Sequence, residues 1–325
     1  MARGGSPHGS GGEDKYKYVN DAKELLDKIG EDIYKIAYEA AQKYENELHG
    51  TLSQATYPKD VRHTDSTPSK SCELLYQYHT NVTSNVIQPC KHKSEKRFSD
   101  TEGAQCDDRK IRGSDKTSNG GACAPYRRLH LCDKNLEQIE PDKITTHNLL
   151  VDVCQAAKYE GDSARGYYAL YDTQYPSSGS PMCTMFARSF ADIGDIIRGK
   201  DLYLGNNRKD KLQIKLKEYF KKIYDDVTKS STGEKRSALQ EHYNDPKENF
   251  YQLREDWWNN NRKMVWYAIT CGAGNDSQYF RRTCGSDEKT ASLADVQCRC
   301  KTNVVPTYFD YAPQYLRWFE EWAED

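Results

Sequence analysis

Cysteine offers the most distinctive chemistry in this chain, because its 325 residues include eleven cysteines. A set of this size forms either a disulfide framework in an oxidising compartment or a group of zinc ligands. The Cys-His and Cys-Cys neighbours at residues 90–92, 130–132 and 298–300 lack the two-residue gap of zinc knuckles. The spacing therefore favours disulfides, and the odd number leaves one thiol unpaired. The predicted disulfide cysteines are Cys72, Cys90, Cys106, Cys123, Cys132, Cys154, Cys183, Cys271, Cys284, Cys298 and Cys300.

Positive charge is concentrated between residues 91 and 128, where ten basic residues accompany six acidic ones for a net charge of +4. Guanidinium and ammonium groups bind sulfate and carboxylate, so this segment is a candidate glycan-binding face. The alternative is a solvated loop whose charges keep the domain soluble. The whole chain carries a net charge of −2, which gives no indication of nucleic-acid binding. The candidate residues are Lys91, Lys93, Lys96, Arg97, Arg109, Lys110, Arg112, Lys116, Arg127 and Arg128.

A second and weaker basic candidate lies on one face of a predicted helix. It consists of Lys211, Lys215 and Lys222, which follow one another at helical spacing. Glu218 and Asp225 lie beside them, so ion pairs within the helix are an alternative explanation of the stripe.

Enzyme motifs are missing from the sequence. It contains no G-x-S-x-G, no P-loop and no H-E-x-x-H. The run Gly272-Ala273-Gly274 follows a cysteine and a predicted helix rather than a strand, so it is interpreted as a turn. We therefore predict no catalytic residue, metal or cofactor. A metal-dependent enzyme remains the alternative, and it would require free thiolates.

Apolar periodicity predicts a mainly helical chain. Helices are expected over residues 145–159, 185–197 and 210–228, from Asp245-Pro246 towards Cys271, and over 314–325. No strand pattern appears, and no apolar run of about 18 residues is long enough to span a membrane. A further helical stretch, residues 20–48, is interrupted by Gly30 and has an apolar stripe formed by Leu25, Leu26, Ile29, Ile33, Ile36, Ala37, Ala40, Tyr44 and Leu48.

The predicted fold class is all-α with long disulfide-stapled loops, and four regions are distinguished. Residues 1–71 form an N-terminal segment with a flexible tip, and residues 72–182 form a loop-rich region with six cysteines. Residues 183–312 form a helix bundle, and residues 313–325 begin another helix. Residues 1–12 have no apolar core of a cleavable signal peptide, which contrasts with the disulfide chemistry expected of an exported protein.

Several long blocks resemble the Duffy-binding-like domain, alpha class, of the variant erythrocyte membrane protein family of the malaria parasite Plasmodium falciparum. They are residues 186–205 and 306–325, the run Asp256-Trp257-Trp258, and residues 123–132. Residues 21–30 are similar to the N-terminal segment that precedes the first such domain. The resemblance implies three subdomains. Residues 72–182 would form the first, residues 183–312 the second, and residues 313–325 the start of the third, whose remainder is missing here. It also implies that the unpaired cysteine finds its partner beyond residue 325.

The resemblance further implies an adhesion protein, not an enzyme, on the surface of the infected erythrocyte, exported without a cleaved signal peptide. Lys23, Leu25 and Asp27 are similar to the family's export motif, although Leu25 also belongs to the apolar stripe. The implied partners are a host receptor or a sulfated or blood-group glycan, as in rosetting, together with host antibodies and an adjacent cysteine-rich interdomain region. The alternative is an antigenically variable scaffold beside a neighbouring receptor-binding domain.

Overall fold

The protein is described here by a computed structural model, which covers residues 16–58, 67–82, 88–98, 103–114, 121–174, 182–205, 211–285 and 290–323. The described part is mainly helical, so the predicted all-α class is confirmed. Its helices are α1 (Ala22–Ala41), α2 (Glu45–Leu48), α3 (Tyr126–Leu129), α4 (Thr146–Gln174), α5 (Met182–Arg198), α6 (Lys211–Ser230), α7 (Gly233–His242), α8 (Tyr251–Ile269) and α9 (Gln314–Ala323).

One small sheet was not predicted. Strand β1 (Arg282–Cys284) pairs antiparallel with β2 (Ser292–Leu293), and Arg282 lies opposite Leu293. Two and three residues are too few for an alternating pattern to be recognised in the sequence. None of the helices in the described ranges is both long and apolar enough to cross a membrane.

The core forms where α4, α5 and α8 pack against one another. Every residue of α5 is buried apart from the half-buried Met185, so this helix lies inside the protein rather than on its surface. The ring of Phe190 lies 5.1 Å from that of Trp258 and 5.2 Å from that of Trp266. Large aromatic side chains of α8 thus fill the space around α5.

Helix α8 begins later than the Asp245-Pro246 pair predicted. The carboxylate of Asp245 accepts hydrogen bonds from the backbone N–H groups of Lys247, Asn249 and Phe250, and so holds a turn instead of the first helical residue. Phe250 then takes a left-handed conformation with φ of 55°, and the helix starts at Tyr251. The sequence analysis missed α7 entirely, because Leu239 is its only buried residue and no apolar stripe marks it.

Helix α1 continues through Gly30 without a break, and only part of the predicted stripe is buried, namely Leu26, Tyr44 and Leu48. Ile33 and Ile36 of the predicted stripe are 41% and 74% exposed, whereas the acidic Asp27 is wholly buried. The reason is the close approach of α1 to residues 308–312. A side chain at Gly30 would clash with the carbonyl oxygen of Tyr308.

The predicted disulfide framework is confirmed, and it links distant parts of the chain. Cys72–Cys271 spans 199 residues and links the loop-rich region to the end of α8. Cys183–Cys298 spans 115 residues and links α5 to the C-terminal part of the chain. The cysteines of the three zinc-like fragments are all oxidised and are not available as thiolates. The other pairs are Cys90–Cys132, Cys106–Cys123 and Cys284–Cys300.

The unpaired cysteine is Cys154, which lies in α4 and is completely buried. The expectation that the odd thiol pairs with a cysteine beyond residue 325 stays a prediction. Within the described residues, Cys154 packs in the core as a small apolar side chain. Burial also raises the pKa of its thiol, which suppresses the reactive thiolate.

We predict that replacing Gly30 with alanine lowers the free energy of unfolding by about 1–3 kcal/mol, because the new methyl group meets backbone that cannot yield. The matched control is Gly166→Ala in α4, where an added methyl meets nothing within 4 Å. This control should be neutral or stabilising by up to about 1 kcal/mol through helix propensity. Urea unfolding of both variants provides the measurement, and equal effects would contradict the docking described for α1.

A thiol titration tests the cysteine assignment. The native protein should not react with an aromatic disulfide reagent, and the denatured, unreduced protein should release one equivalent from Cys154. Cys154→Ala should remove that equivalent. Several reactive thiols in the native protein would contradict the pairing and reopen the metal hypothesis.

Candidate ligand-binding surface

Three of the ten predicted glycan-binding cations are inside the protein. Arg97, Arg127 and Arg128 are only 3–4% exposed. Arg127 donates to Glu321 at 2.7 Å and to Asp192 at 2.6 Å, and Arg128 is paired with Asp201. These arginines cannot reach a ligand in the folded protein. Their predicted assignment to a binding face is therefore wrong.

The buried acids of α5 explain why Arg127 points inwards. Asp192 also receives Arg317 at 3.2 Å, and Arg317 contacts Asp195 one helical turn further along. Burial on its own would raise the pKa of Asp192, but the charges of Arg127 and Arg317 outweigh it and lower the pKa to about 2. The carboxylate is therefore ionised and needs these cations. We call Asp192, Asp195, Arg127 and Arg317 the α5 ion cluster.

Two more cations of the basic segment are already engaged. Lys93 pairs with Asp133 at 2.7 Å, and both side chains are nearly buried. Arg109 is exposed, but its guanidinium donates two hydrogen bonds of 3.0 and 2.8 Å to the carboxylate of Asp107. Those hydrogen bonds lower the pKa of Asp107, and the charge of Lys110 acts in the same direction. Lys116 lies outside the described residues.

Four cations remain without a salt bridge to any carboxylate in the described ranges. Lys91, Lys96 and Arg112 are exposed and Lys110 is half-buried. Lys110 and Arg112 lie close to Arg109 in the chain, and their backbone is hydrogen-bonded to residues 202–204. The backbone N–H of Arg112 donates to Leu202 at 2.8 Å, and the carbonyl of Lys110 accepts from Leu204 at 2.6 Å.

An apolar cavity lies beside this segment. It has a volume of about 520 Å³ and is lined by Arg112, Leu202 and the aromatic side chains of Tyr315 and Phe319, which are 52% and 59% exposed. We call Arg109, Lys110, Arg112, Tyr315 and Phe319 the loop-110 surface. The Cys106–Cys123 disulfide closes the loop that carries its cations. The surface therefore combines fixed positive charge with exposed aromatic area.

The second basic candidate is mostly neutralised within its own helix. Lys215 pairs with Glu218 at 2.9 Å and Lys222 pairs with Asp226, one residue beyond the predicted partner. Lys211 is exposed at the start of α6. Such surface pairs contribute little to stability, but they reduce the charge available to a ligand.

The predicted export motif lies on α1, and its acid has a structural task. Asp27 accepts hydrogen bonds from the backbone N–H of Tyr308 at 2.7 Å and from Arg281 at 2.8 Å. Burial raises the pKa of Asp27, while the charge of Arg281 opposes the rise. Lys23 and Leu25 are half-buried, and the ammonium of Lys23 lies 5.7 Å from the ring of Phe280. A role of these residues in export stays a prediction.

The sequence analysis missed the buried ion pairs, and the pair of Arg262 with Asp310 is an example. Arg262 of α8 makes two hydrogen bonds to Asp310, at 2.8 and 2.7 Å, and Asp310 also accepts from the indole N–H of Trp258. An arginine amid the tryptophans of an apolar helix was the available signal, because a charge in that setting needs a buried partner.

Replacing Arg127 with methionine should lower the free energy of unfolding by about 3–5 kcal/mol, because it removes the cation paired with Glu321 and one of the two arginines paired with the buried Asp192. The matched control, Arg112→Met, removes an exposed cation and should change that free energy by no more than about 0.5 kcal/mol. Chemical denaturation measures both variants. A small effect at Arg127 would show that the α5 ion cluster is dispensable.

Two known protein families match parts of this chain. The model of the Duffy binding domain matches residues 121–317, and that of the N-terminal segments of PfEMP1 matches residues 21–56. No curated protein sequence matches the chain.

Three solved structures are similar over most of the chain. The first is the NTS-DBL1-alpha and CIDR-gamma double domain of PfEMP1 from the varO strain of Plasmodium falciparum, with 39% identity, a TM-score of 0.78, and coverage of 94% of this chain and 43% of that one. The NTS-DBL1(alpha-1) domain of the same strain has 37% identity, a TM-score of 0.70, and coverage of 94% and 61%. A DBL-beta domain of PfEMP1 bound to human ICAM-1 has 28% identity, a TM-score of 0.68, and coverage of 98% and 63%.

This chain thus spans less than two thirds of the length of each of these relatives. The Duffy binding domain nevertheless accounts for more than half of the chain, and the segment before it matches its own family. The chain therefore belongs to the Duffy binding domain family and is a DBL domain of the alpha class with the N-terminal segment of PfEMP1.

Proposed function

We propose that this chain is an adhesion domain of a parasite surface antigen and binds a ligand on host cells. The observation that carries the proposal is its similarity, over 98% of its length, to a DBL-beta domain that is bound to human ICAM-1. The family is one of adhesion domains rather than of enzymes. Because sequence identity to that relative is 28%, the proposal transfers the mode of action and not the identity of the receptor.

The loop-110 surface is the proposed contact. The backbone of Lys110 and Arg112 is held by hydrogen bonds to Leu202 and Leu204, so binding would cost little ordering of residues 110–112. Arginine and lysine favour sulfate or carboxylate groups, and the exposed rings of Tyr315 and Phe319 add apolar contact area. The proposed ligand is a sulfated glycan of the heparan-sulfate type, or an acidic patch on a receptor.

The site of action follows from the family. We propose that the domain acts on the surface of the infected erythrocyte, to which PfEMP1 is exported, and that it is exposed there to host antibodies. A cysteine-rich interdomain region is the proposed neighbour, since the double-domain relative combines DBL1-alpha with CIDR-gamma.

Binding of heparin to the purified chain tests the proposed contact. The double variant Lys110→Glu/Arg112→Glu should weaken binding about tenfold or more, which corresponds to about 1.4 kcal/mol. The matched control is Arg236→Glu/Lys247→Glu, which reverses an exposed arginine and an exposed lysine elsewhere. Affinity of the unmodified chain should also fall as salt rises, because ions screen such contacts.

Two results would count against this contact. Salt-independent binding would rule out an electrostatic contact, and an equal loss in both double variants would show a response to net charge alone. A specific observation favours the scaffold alternative, namely that several predicted cations are consumed by internal ion pairs. If receptor binding by the complete adhesive head survives deletion of this domain, the scaffold function replaces the adhesive one.

A further inference from the structure

A second cleft lies between α1 and α8, away from the residues of the loop-110 surface. Its volume is about 980 Å³, at the upper end of the range for small-molecule and peptide sites. Tyr34 and Tyr38 of α1 form one wall, Asn259 and Asn260 of α8 form another, and Arg282 of β1 closes a third side. We call this the α1–α8 cleft.

The floor of the cleft is preformed. The guanidinium of Arg262 lies 4.8 Å from the ring of Tyr34 and is neutralised by its two hydrogen bonds to Asp310. Arg281 is held in the same way by Asp27 and Glu31, at 2.8 and 2.9 Å. These buried pairs fix the rings and helices around the cleft, so a ligand would meet a rigid surface.

The rim of the cleft carries positive charge that the protein does not use. Lys263 and Arg282 are exposed, and neither side chain forms an ion pair in the part of the chain that the structure describes. Lys35, which is 61% exposed at its side chain, pairs with Glu31 among the described residues, and Arg281 already engages that acid. Exposed pairs of this kind are weak, so Lys35 can exchange partners.

Amide groups with spare hydrogen-bonding capacity lie between these cations. Among the described residues, the side-chain amide of Asn260 donates a long hydrogen bond of 3.5 Å to Ala41, and Gln42 is exposed on the cleft wall. Such groups suit a peptide backbone, which presents one donor and one acceptor per residue.

Acidic residues on the same rim argue against a dense polyanion. Glu45 and Asp32 also line the cleft, and a chain with a negative group on every unit would meet both of them. A peptide can place its acids beside Lys263 and Arg282 and its backbone beside the amides. The tyrosine rings offer contact area for the remaining side chains.

We propose that the α1–α8 cleft binds a short acidic peptide segment of a partner protein. The proposal is independent of the loop-110 surface. It adds a second contact site, which lies between α1 and α8. It gives the N-terminal segment a share in recognition, because α1 supplies one wall of the site.

The test uses the full chain and a fluorescein-labelled octapeptide of alternating glutamate and glycine. Fluorescence anisotropy should detect binding of this peptide and none of its lysine-glycine counterpart. Lys263→Glu/Arg282→Glu should weaken binding about tenfold or more, whereas the matched Arg236→Glu/Lys247→Glu variant should stay within about twofold. Tyr38→Ala should also weaken binding while leaving the circular dichroism spectrum and the melting temperature unchanged, since Tyr38 is 44% exposed.

Three results would overturn the proposal. The first is that the glutamate peptide does not bind, and the second is that both charge-reversed variants lose affinity equally. The third is that Lys263→Glu/Arg282→Glu weakens heparin binding more than peptide binding. The last result would assign the cleft to a sulfated polysaccharide. The Lys110→Glu/Arg112→Glu variant should bind the peptide normally, so failure at this cleft is distinguishable from failure at the loop-110 surface.

Discussion

The ionised Asp192 on the buried helix α5 is the constraint on which the rest of the structure depends. A carboxylate in the core is tolerated only with well-placed cations, and these come from α3 as Arg127 and from α9 as Arg317. Satisfying one charge therefore fixes two segments that are far apart in sequence. The loop-110 surface rests on the same frame, because Phe319 and Tyr315 belong to α9.

A second buried pair does the same for the N-terminal segment. Asp310 holds Arg262 of α8, and the neighbouring Tyr308 offers its backbone N–H to Asp27 of α1. Gly30 allows α1 to come close enough for that hydrogen bond. The N-terminal segment is thus part of the domain's interior rather than an appendage. Tyr34 and Tyr38 follow Asp27 at helical spacing, so the face of α1 that docks on the domain also borders the α1–α8 cleft.

Helix positions were accessible from the sequence wherever one stripe of apolar residues meets the core. This holds for α6, whose buried Leu212, Leu216 and Tyr219 follow the expected spacing. It fails for α7, which buries a single leucine, and for the start of α8, where the Asp245 side chain caps a turn. The apolar stripe of α1 was misjudged because buried Asp27 and Gly30, not Ile33 or Ile36, make its closest contacts.

The sequence by itself determined the helical class, the oxidised state of the cysteines and the family, because composition, spacing and long motifs are local properties. Only the tertiary structure decided which cysteine stays unpaired and which cations face solvent. Arg127 and Arg112 are alike in a charge count, yet the partners of Arg127 lie 65 and 194 residues away along the chain. Whether a charged side chain is buried in an ion pair or exposed to solvent depends on such distant residues. These residues come together only when the chain has folded.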